Sequence, residues 1–341
     1  MTAHCIESRR MRAATAGKNR VALVFALMAA LCPLESAAQS AASTYPTKPI
    51  RIVVPFPPGG STDFFARSIG QKLTEVWGHQ VVVDNRTGAN GTVGTDIVAK
   101  AAPDGYTLLM NAIGHAANAS LYSKLPYDAL RDFAPVTSFA DVPMFVAVHP
   151  TVKANTVPEL IALARAKPGQ LNVAAGGVGA SHHLAAELFR IAAKVEWQYI
   201  QYRGGGPALI ELISGNVDLM FTPVSSALHH VKAGKLRTLG VTSPQRVPLA
   251  PDLPTIAESG LPGYEARAWY GIVAPARVPR EIVVKLNAQI NELLRTPAFR
   301  EALIARGAVP MGGSVDDFST LLRSEVQKYA ALVKVAGIRA D

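Results

Sequence analysis

The stretch IRIVVPFPPGGSTD, residues 50–63, decides the fold class of this chain, because it joins a buried strand to the start of a helix. Its first half is mostly apolar and rich in β-branched residues, which predicts a strand covered on both faces. Beyond it, Phe65, Ile69 and Leu73 recur at helical spacing. A strand, a glycine turn and a helix in this order are typical of an α/β unit with a parallel sheet.

A second unit of this kind begins at Leu171, where a short strand leads into a glycine turn and an apolar helical stripe. Two apolar segments, Met144–Val148 and Trp269–Ala274, lead to the second unit and back, and the C-terminal residues have helical periodicity from Pro279 and from about Val315. If these helices pack on the first unit, the chain crosses twice between two hinged lobes. We predict doubly wound parallel sheets in lobe 1, residues 45–143 and 270–341, and in lobe 2, residues 144–269.

The N-terminus has the layout of a signal peptide. A cluster of arginine and lysine precedes the apolar run Val21–Cys32, which is too short for a membrane-spanning helix of about 20 residues, and small residues follow it. We predict that residues 1–38 are removed on export, although Met11 could be the true start. Both cysteines, Cys5 and Cys32, lie in this segment, so the exported chain would have no disulfide and no thiol nucleophile.

Composition and motifs exclude several classes of protein. The chain is 49% hydrophobic and 17% charged, which supports a buried core and argues against disorder. Its net charge of +9 comes from scattered residues, so we expect attraction of anions rather than nucleic-acid binding. The sequence has no GxxxxGK[ST], GxGxxG or GxSxG motif, which disfavours nucleotide binding and serine hydrolysis.

Two histidine pairs, His182-His183 and His229-His230, could suggest a metal site. Adjacent residues on a helix point about 100° apart, and neither pair has a carboxylate or an HExxH pattern at ligand spacing. We therefore expect no metal and no cofactor.

The first glycine loop, Phe56–Asp63, is the sharpest local feature. Pro58 stiffens the approach, Gly59 and Gly60 let backbone N–H groups come close to a ligand, and Ser61 and Thr62 stand at the helix start. A helix N-terminus offers unpaired N–H groups and the positive end of a dipole, which suit a carboxylate. A tight turn in which Ser61, Thr62 or Asp63 caps the helix explains the same residues equally well.

Three other junctions qualify as sites. The second glycine loop, Gly176–Ser181, also opens a helix and contains Gly179, although Ser181 could be a simple cap. The turn Tyr202–Pro207 could add amides, or could be a solvated turn with a surface arginine at Arg203. Asn111 to His115 ends another strand and could line the same cleft.

The chain resembles the Bug family, the periplasmic receptors of tripartite tricarboxylate transporters. The likeness covers essentially the whole chain after the leader and rests on many motifs in order. They include residues 48–60, 81–86 (VVVDNR), 88–91 (GANG), 103–109 (PDGYTLL), 181–189, 215–221, 234–237 (GKLR) and 269–271 (WYG).

This resemblance implies a two-lobed periplasmic-binding-protein fold (Venus flytrap, type II) with two hinge crossovers, located in the periplasm. It implies a non-enzymatic receptor that captures a small organic carboxylate for transporter membrane subunits, and we expect a monomer. The ligand-binding residues implied are those of the first glycine loop, held through backbone groups and bridging water, with contributions from Gly179, Ser181, His182, Tyr202, Pro207 and Ala208.

Three positions depart from the family pattern. Thr222 stands where many relatives have an acidic residue, which argues against a ligand with an amino group. His115 and His182 replace small polar residues, which favours a more aromatic or less charged acid. A periplasmic sensor that signals to a membrane kinase fits the same cleft, and a hydrolase with Ser61 as nucleophile is the remaining alternative.

Overall fold

Two β-sheets organise the chain in a computed structural model that describes residues 44–340; the predicted leader and both cysteines lie outside this range. The six-stranded sheet of lobe 1 has the order β11-β4-β10-β3-β1-β2, and the five-stranded sheet of lobe 2 has the order β7-β6-β8-β5-β9. The strands are β1 (Ile50–Val54), β2 (Val81–Asn85), β3 (Thr107–Ala112), β4 (Phe133–Val142), β5 (Met144–Val148), β6 (Asn172–Ala175), β7 (Gln198–Gln201), β8 (Leu219–Pro223), β9 (Arg237–Val241), β10 (Ala268–Pro275) and β11 (Val309–Pro310).

Helices follow most of these strands, as the alternating pattern predicts. Those of lobe 1 are α1 (Ser61–Trp77), α2 (Thr92–Ala99), α3 (Ile113–Leu121), α8 (Arg280–Arg295), α9 (Pro297–Ala305) and α10 (Val315–Ala336). Those of lobe 2 are α4 (Val157–Ala166), α5 (Ser181–Ala193), α6 (Gly205–Ile213) and α7 (Val224–Lys232). The C-terminal helices pack on lobe 1, and α9 and β11 between them were not predicted.

Each sheet is mixed, which corrects the prediction of purely parallel sheets. In lobe 1, β1 pairs in parallel with β2 and β3, whereas β10 runs antiparallel to β3 and β4. In lobe 2, β6 is parallel to β7 and β8, whereas β5 is antiparallel to β8 and β9. Two of the reversed strands are those by which the chain enters a lobe, because β5 follows β4 across Pro143 and β10 follows the return from β9; the short β11 is also antiparallel to β4.

This topology fixes which strand ends meet. A strand that enters a lobe runs away from the other lobe, so the strands antiparallel to it point towards the other lobe. The carboxyl ends of β1 and β3 in lobe 1 therefore face those of β6 and β8 in lobe 2. Ligands of open α/β sheets bind outside the carboxyl ends of the strands.

The hydrophobic core crosses from one lobe to the other. One hydrophobic cluster of lobe 1 contains Trp269, Phe318 and Tyr329, and Leu184 from the first turn of α5 in lobe 2 belongs to the same cluster. The indole Nε1 of Trp269 donates to Glu325 Oε2 at 2.8 Å, close to the second crossover. A second cluster around Phe145, Leu212 and Met220 lies within lobe 2. Burial of α5 against α10 thus holds the lobes together through apolar contacts.

In the range 44–340, no helix is long and apolar enough to cross a membrane. Within the same range, no three His, Cys, Asp or Glu side chains lie close enough together to hold a metal ion.

Candidate functional site

The two glycine loops lie at the facing ends of the sheets. The first joins β1 to α1, and the second joins β6 to α5. Contact between the lobes occurs at Gly179, because a methyl group added there would overlap Leu121 Cδ1 of α3 and lie 2.9 Å from Asn90 Nδ2. The structure therefore brings the second loop against lobe 1.

Side chains brace the first glycine loop from below. Asp63 is 4% exposed, and its Oδ2 accepts hydrogen bonds from Gly59 N and Arg67 Nε, each at 3.0 Å. Asn85 Nδ2 donates to Asp63 Oδ1 and to the carbonyl oxygen of Phe56, again at 3.0 Å each. Burial opposes ionisation of Asp63, but the hydrogen bonds from Arg67, Gly59 and Asn85 outweigh it and lower the pKa of this carboxyl group. Asp63 thus has a bracing role, and both of its oxygens are already hydrogen-bonded.

The start of α1 has no side-chain cap. Gly60 is the N-cap residue, and the first helical hydrogen bond runs from Phe64 N to Gly60 O at 2.9 Å. In the described part of the chain, the N–H groups of Ser61, Thr62 and Asp63 have no protein acceptor. This helix start therefore presents three unpaired donors and a positive dipole end.

The second glycine loop has the same free donors at its helix start. Ala180 is the N-cap of α5, and Leu184 N donates to its carbonyl oxygen at 3.0 Å. Ser181 is the first helical residue and makes no capping bond, so the alternative in which it caps α5 does not apply. The N–H groups of Ser181, His182 and His183 also lack an acceptor in residues 44–340.

His182 lies between the second loop and α6. Methyl groups added at Gly176 and Gly205 would lie 3.0 Å from its Nδ1 and 2.5 Å from its Nε2, respectively. Burial lowers the pKa of His182 to about 4, so the ring is neutral at neutral pH. No described residue hydrogen-bonds to its Nδ1. His182 therefore places a neutral ring beside two helix starts.

The third junction lies next to His182. Gly204 is the N-cap of α6 without a side-chain cap, Pro207 and Ala208 lie in the first turn, and Tyr202 N donates to Ala175 O at 2.8 Å. Arg203 is exposed, as expected for a solvated turn residue.

Asn111 and Thr222 lie on the strands at the facing ends and are each 1% exposed. Neither amide atom of Asn111 has a hydrogen-bond partner within residues 44–340, so this buried group keeps a donor and an acceptor available. Thr222 pairs with Phe145 in the middle of the second sheet. Neither position carries a charge.

His115 is not brought together with these residues. Its Nε2 lies 2.8 Å from Ala129 O, and its ring stacks on Tyr127 and meets Phe133 edge-on at 4.9 Å. Burial lowers the pKa of His115 to about 4. His115 lies on a face of α3 that packs against the segment before β4, and a residue number near a strand end does not reveal that rotation.

Two residues near the loops were missed from the sequence. Tyr270 on β10 is buried, which raises the pKa of its hydroxyl to about 12, and a hydrogen bond with Ser61 at the start of α1 only partly offsets this effect. Asn90 meets Gly179 from the other lobe. Both belong to motifs that the sequence showed, WYG at 269–271 and GANG at 88–91, but the motifs do not say where the side chains lie.

Two surface cavities of about 240 and 330 Å³ lie elsewhere, and neither is lined by a predicted site residue. One is at the opposite end of the first sheet near Arg131 and Arg277, and the other is beside Tyr122 and Val326. The predicted site residues lie at the facing helix starts and not in these cavities.

Comparisons with known proteins agree with this geometry. A model of the tripartite tricarboxylate transporter family receptor matches residues 65–338. BugT of Bordetella pertussis is 39% identical over 305 residues, which are 89% of this chain and 94% of BugT.

Solved structures show the same fold. A Rhodopseudomonas palustris protein, Rpa4515 with adipate, is 36% identical with a TM-score of 0.80, covering 86% of this chain and 99% of that one. MatC from the same organism, with bound malate, is 32% identical with a TM-score of 0.76, covering 85% and 100%. The periplasmic binding protein BugD is 35% identical with a TM-score of 0.77, covering 86% and 99%.

The resemblance to Bug proteins and the two-lobed α/β fold are thus confirmed. The chain belongs to the tripartite tricarboxylate transporter receptor family and is a solute-binding receptor.

Proposed function

We propose that this chain binds one small organic carboxylate between the starts of α1 and α5 and delivers it to the membrane subunits of a tripartite transporter. The ligand oxygens accept hydrogen bonds from backbone N–H groups of the two glycine loops, and Asn111, His182, Tyr202 and Thr222 contact the rest of the molecule. The chain acts in the periplasm as a non-enzymatic monomer, and residues 1–38 are removed on export. Lobe 1 consists of residues 45–143 and 270–341, and lobe 2 of residues 144–269.

The observation that carries the proposal is that two helix starts without a side-chain cap, those of α1 in lobe 1 and α5 in lobe 2, lie at the facing ends of the two sheets. On α4 and α10, side chains cap the first turn, since Thr156 Oγ1 accepts from Glu159 N at 3.3 Å and Ser314 Oγ from Asp317 N at 3.1 Å. At α1 and α5 no side chain does so, and both helices begin where the lobes face each other. Unpaired N–H groups on two sides suit an anion that bridges the lobes.

The charge of the predicted site supports an acid without an amino group. Asp63 is engaged with Arg67 and Asn85, His182 is neutral, and Thr222 supplies no carboxylate for an ammonium group. Adipate and malate, the ligands bound to Rpa4515 and MatC, both lack an amino group. His182 favours an aromatic or less charged acid. His115 lies in the core of lobe 1 and does not support that preference.

Calorimetry and thermal denaturation with adipate, malate, benzoate and aspartate test the proposal. An acid that binds and is present at a free concentration of 100 times its Kd should raise the free energy of unfolding by about 2.7 kcal/mol. Tight aspartate binding without binding of the other acids would refute the ligand preference. Chemical change of a bound acid, followed by NMR, would show that the chain is an enzyme and not a receptor.

A further inference from the structure

Gly179 of lobe 2 is a point of close approach between the lobes, as is Gly307 of lobe 1 against Ser225 of α7. The φ of +79° at Gly179 is a left-handed conformation, and an added methyl group would overlap Leu121 Cδ1 and approach Asn90 Nδ2 to 2.9 Å. Contacts below 3.0 Å require the neighbours to move. A side chain at residue 179 therefore requires the buried side chain of Leu121, and that of Asn90, to move.

The surface that Gly179 meets is rigid. Asn90 Nδ2 donates to Asn118 Oδ1 at 2.9 Å, and Asn118 Nδ2 donates back to Asn90 O at 3.0 Å. Asn118 and Leu121 are each 1% exposed. We call Asn90, Asn118 and Leu121 the closing platform, since two reciprocal hydrogen bonds and a buried side chain hold it in one arrangement.

Gly179 is tied to the helix start that presents the free amides. Its N–H lies 3.3 Å from His183 Nδ1, and Ala180 N donates to Gly177 O at 3.2 Å. Leu184, one turn further, packs in the cluster of Trp269 and Phe318 in lobe 1. Any shift of Gly179 away from lobe 1 therefore moves the N-terminus of α5 with it.

The first loop has no comparable contact. Gly59 also has a positive φ, +84°, but a methyl group added there would meet nothing within 4 Å. A left-handed turn alone explains Gly59, whereas Gly179 combines that turn with a close approach to the opposite lobe.

We propose that Gly179 is a positioning residue for ligand capture, whose contact with the closing platform stops the approach of the lobes and so sets the distance between the α1 and α5 amides. A side chain at residue 179 would hold the lobes apart, and the α5 amides would not reach a short acid.

Spin labels on the two lobes test this directly. Val76 on α1 and Ile210 on α6 are exposed and are each replaced by cysteine to carry a spin label. The natural cysteines, Cys5 and Cys32, are replaced by alanine in the same chain. The distance between the labels is measured by double electron–electron resonance, without ligand and with saturating adipate. The parent chain, which carries the two labels and no further substitution, should populate a short distance between the labels that corresponds to the lobe arrangement in the structure.

Three variants of the labelled chain separate contact from strain. Gly179→Ala should lose the short-distance population. Gly169→Ala is the matched control, because Gly169 has a similar φ of +71° on lobe 2 but nothing within 4 Å of an added methyl group, and it should keep the short distance. Adding Leu121→Val to Gly179→Ala removes the overlapping Cδ1 atom and should restore part of the short-distance population.

If Gly179→Ala kept the short distance between the labels, the proposal would be overturned. It would also be overturned if the parent chain never populated that distance. Equal loss in Gly169→Ala would show that backbone strain, not the contact, moves the lobes. Failure of Leu121→Val to restore any short distance would likewise refute the platform as the stop.

Discussion

The two glycine loops present the same free amides but are held in place by different means. Hydrogen bonds from Arg67, Asn85 and Gly59 converge on Asp63 beneath the first loop, all within lobe 1. The second loop has two long hydrogen bonds within lobe 2, from Gly179 N to His183 Nδ1 and from Ala180 N to Gly177 O, and it contacts lobe 1 through Gly179. The first loop is thus held by contacts within its own lobe, whereas the second also depends on a contact with the opposite lobe.

Replacing the carboxylate beneath the first loop should have the largest effect on this comparison. Asp63→Asn turns one acceptor into a donor that faces other donors, and buried hydrogen bonds to a charge contribute about 1.5–3 kcal/mol each. We expect the free energy of unfolding to fall by about 2–4 kcal/mol, measured in urea, and adipate affinity to fall with it. Asp84→Asn, in a half-buried pair with Arg51 and Arg86, is the control and should change stability by less than about 1 kcal/mol. Equal effects of the two variants would contradict the bracing role of Asp63.

Obstructing the first loop should affect binding but not folding. Gly60 has an ordinary φ of −79°, and an added methyl group would come no closer than 3.8 Å to Pro57 O, so the Cβ atom of a Gly60→Val variant has room. The branched side chain keeps a ligand away from the α1 amides and should cost about 1–3 kcal/mol of binding free energy, the size of a charge-assisted hydrogen bond. Calorimetry should show a smaller loss for Gly60→Ala. Unchanged affinity in both variants would leave the loop with a structural role only.

Lowering the pH should destabilise the contacts of the second loop before those of the first. The pKa of His182 is about 4 in the folded chain against 6.5 ordinarily, so the unfolded chain binds the proton first and stability is lost as pH falls from 6.5 towards 4. Because His182 as a residue is half-buried, we expect a loss of about 1–2 kcal/mol. The pKa of Asp63 is lowered from 3.8, so its contribution persists throughout this range.

Urea denaturation at pH 7 and pH 4.5 measures this loss, and His182→Asn should reduce it. His115→Asn is the comparison, since His115 has a similar pKa of about 4 but lies away from the loops. A loss that is identical in the parent and in His182→Asn would exclude His182 as its source.

The smallest expected effect is that of Ser181, whose hydroxyl group does not cap α5. Ser181→Ala removes a hydroxyl group that makes no capping bond and should change the free energy of unfolding by less than about 0.5 kcal/mol. Ser314→Ala breaks a complete capping box on α10 and should cost about 1 kcal/mol. If Ser181→Ala cost as much as Ser314→Ala, the helix start of α5 would be capped in solution and unavailable to a ligand.

The local order of elements could be predicted, but side-chain direction could not. Strand, glycine loop and helix follow from apolar runs and from glycines, because these patterns act within a few residues. His115 and Asp63 stand in the predicted site segments, yet one packs against Phe133 and the other braces its own loop. Rotation of a helix about its axis depends on the elements packed against it, which a single segment does not encode.

The sequence by itself determined the two α/β units, the two crossovers, the absence of thiols after Cys32 and the family resemblance, since these depend on composition and short-range pattern. Only the tertiary structure decided that β5 and β10 run against their neighbours, that Asn90 and Leu121 meet Gly179, and that Tyr270 lies beside Ser61. Each of these features joins residues far apart in the chain, and the packing of two lobes against each other sets their distance.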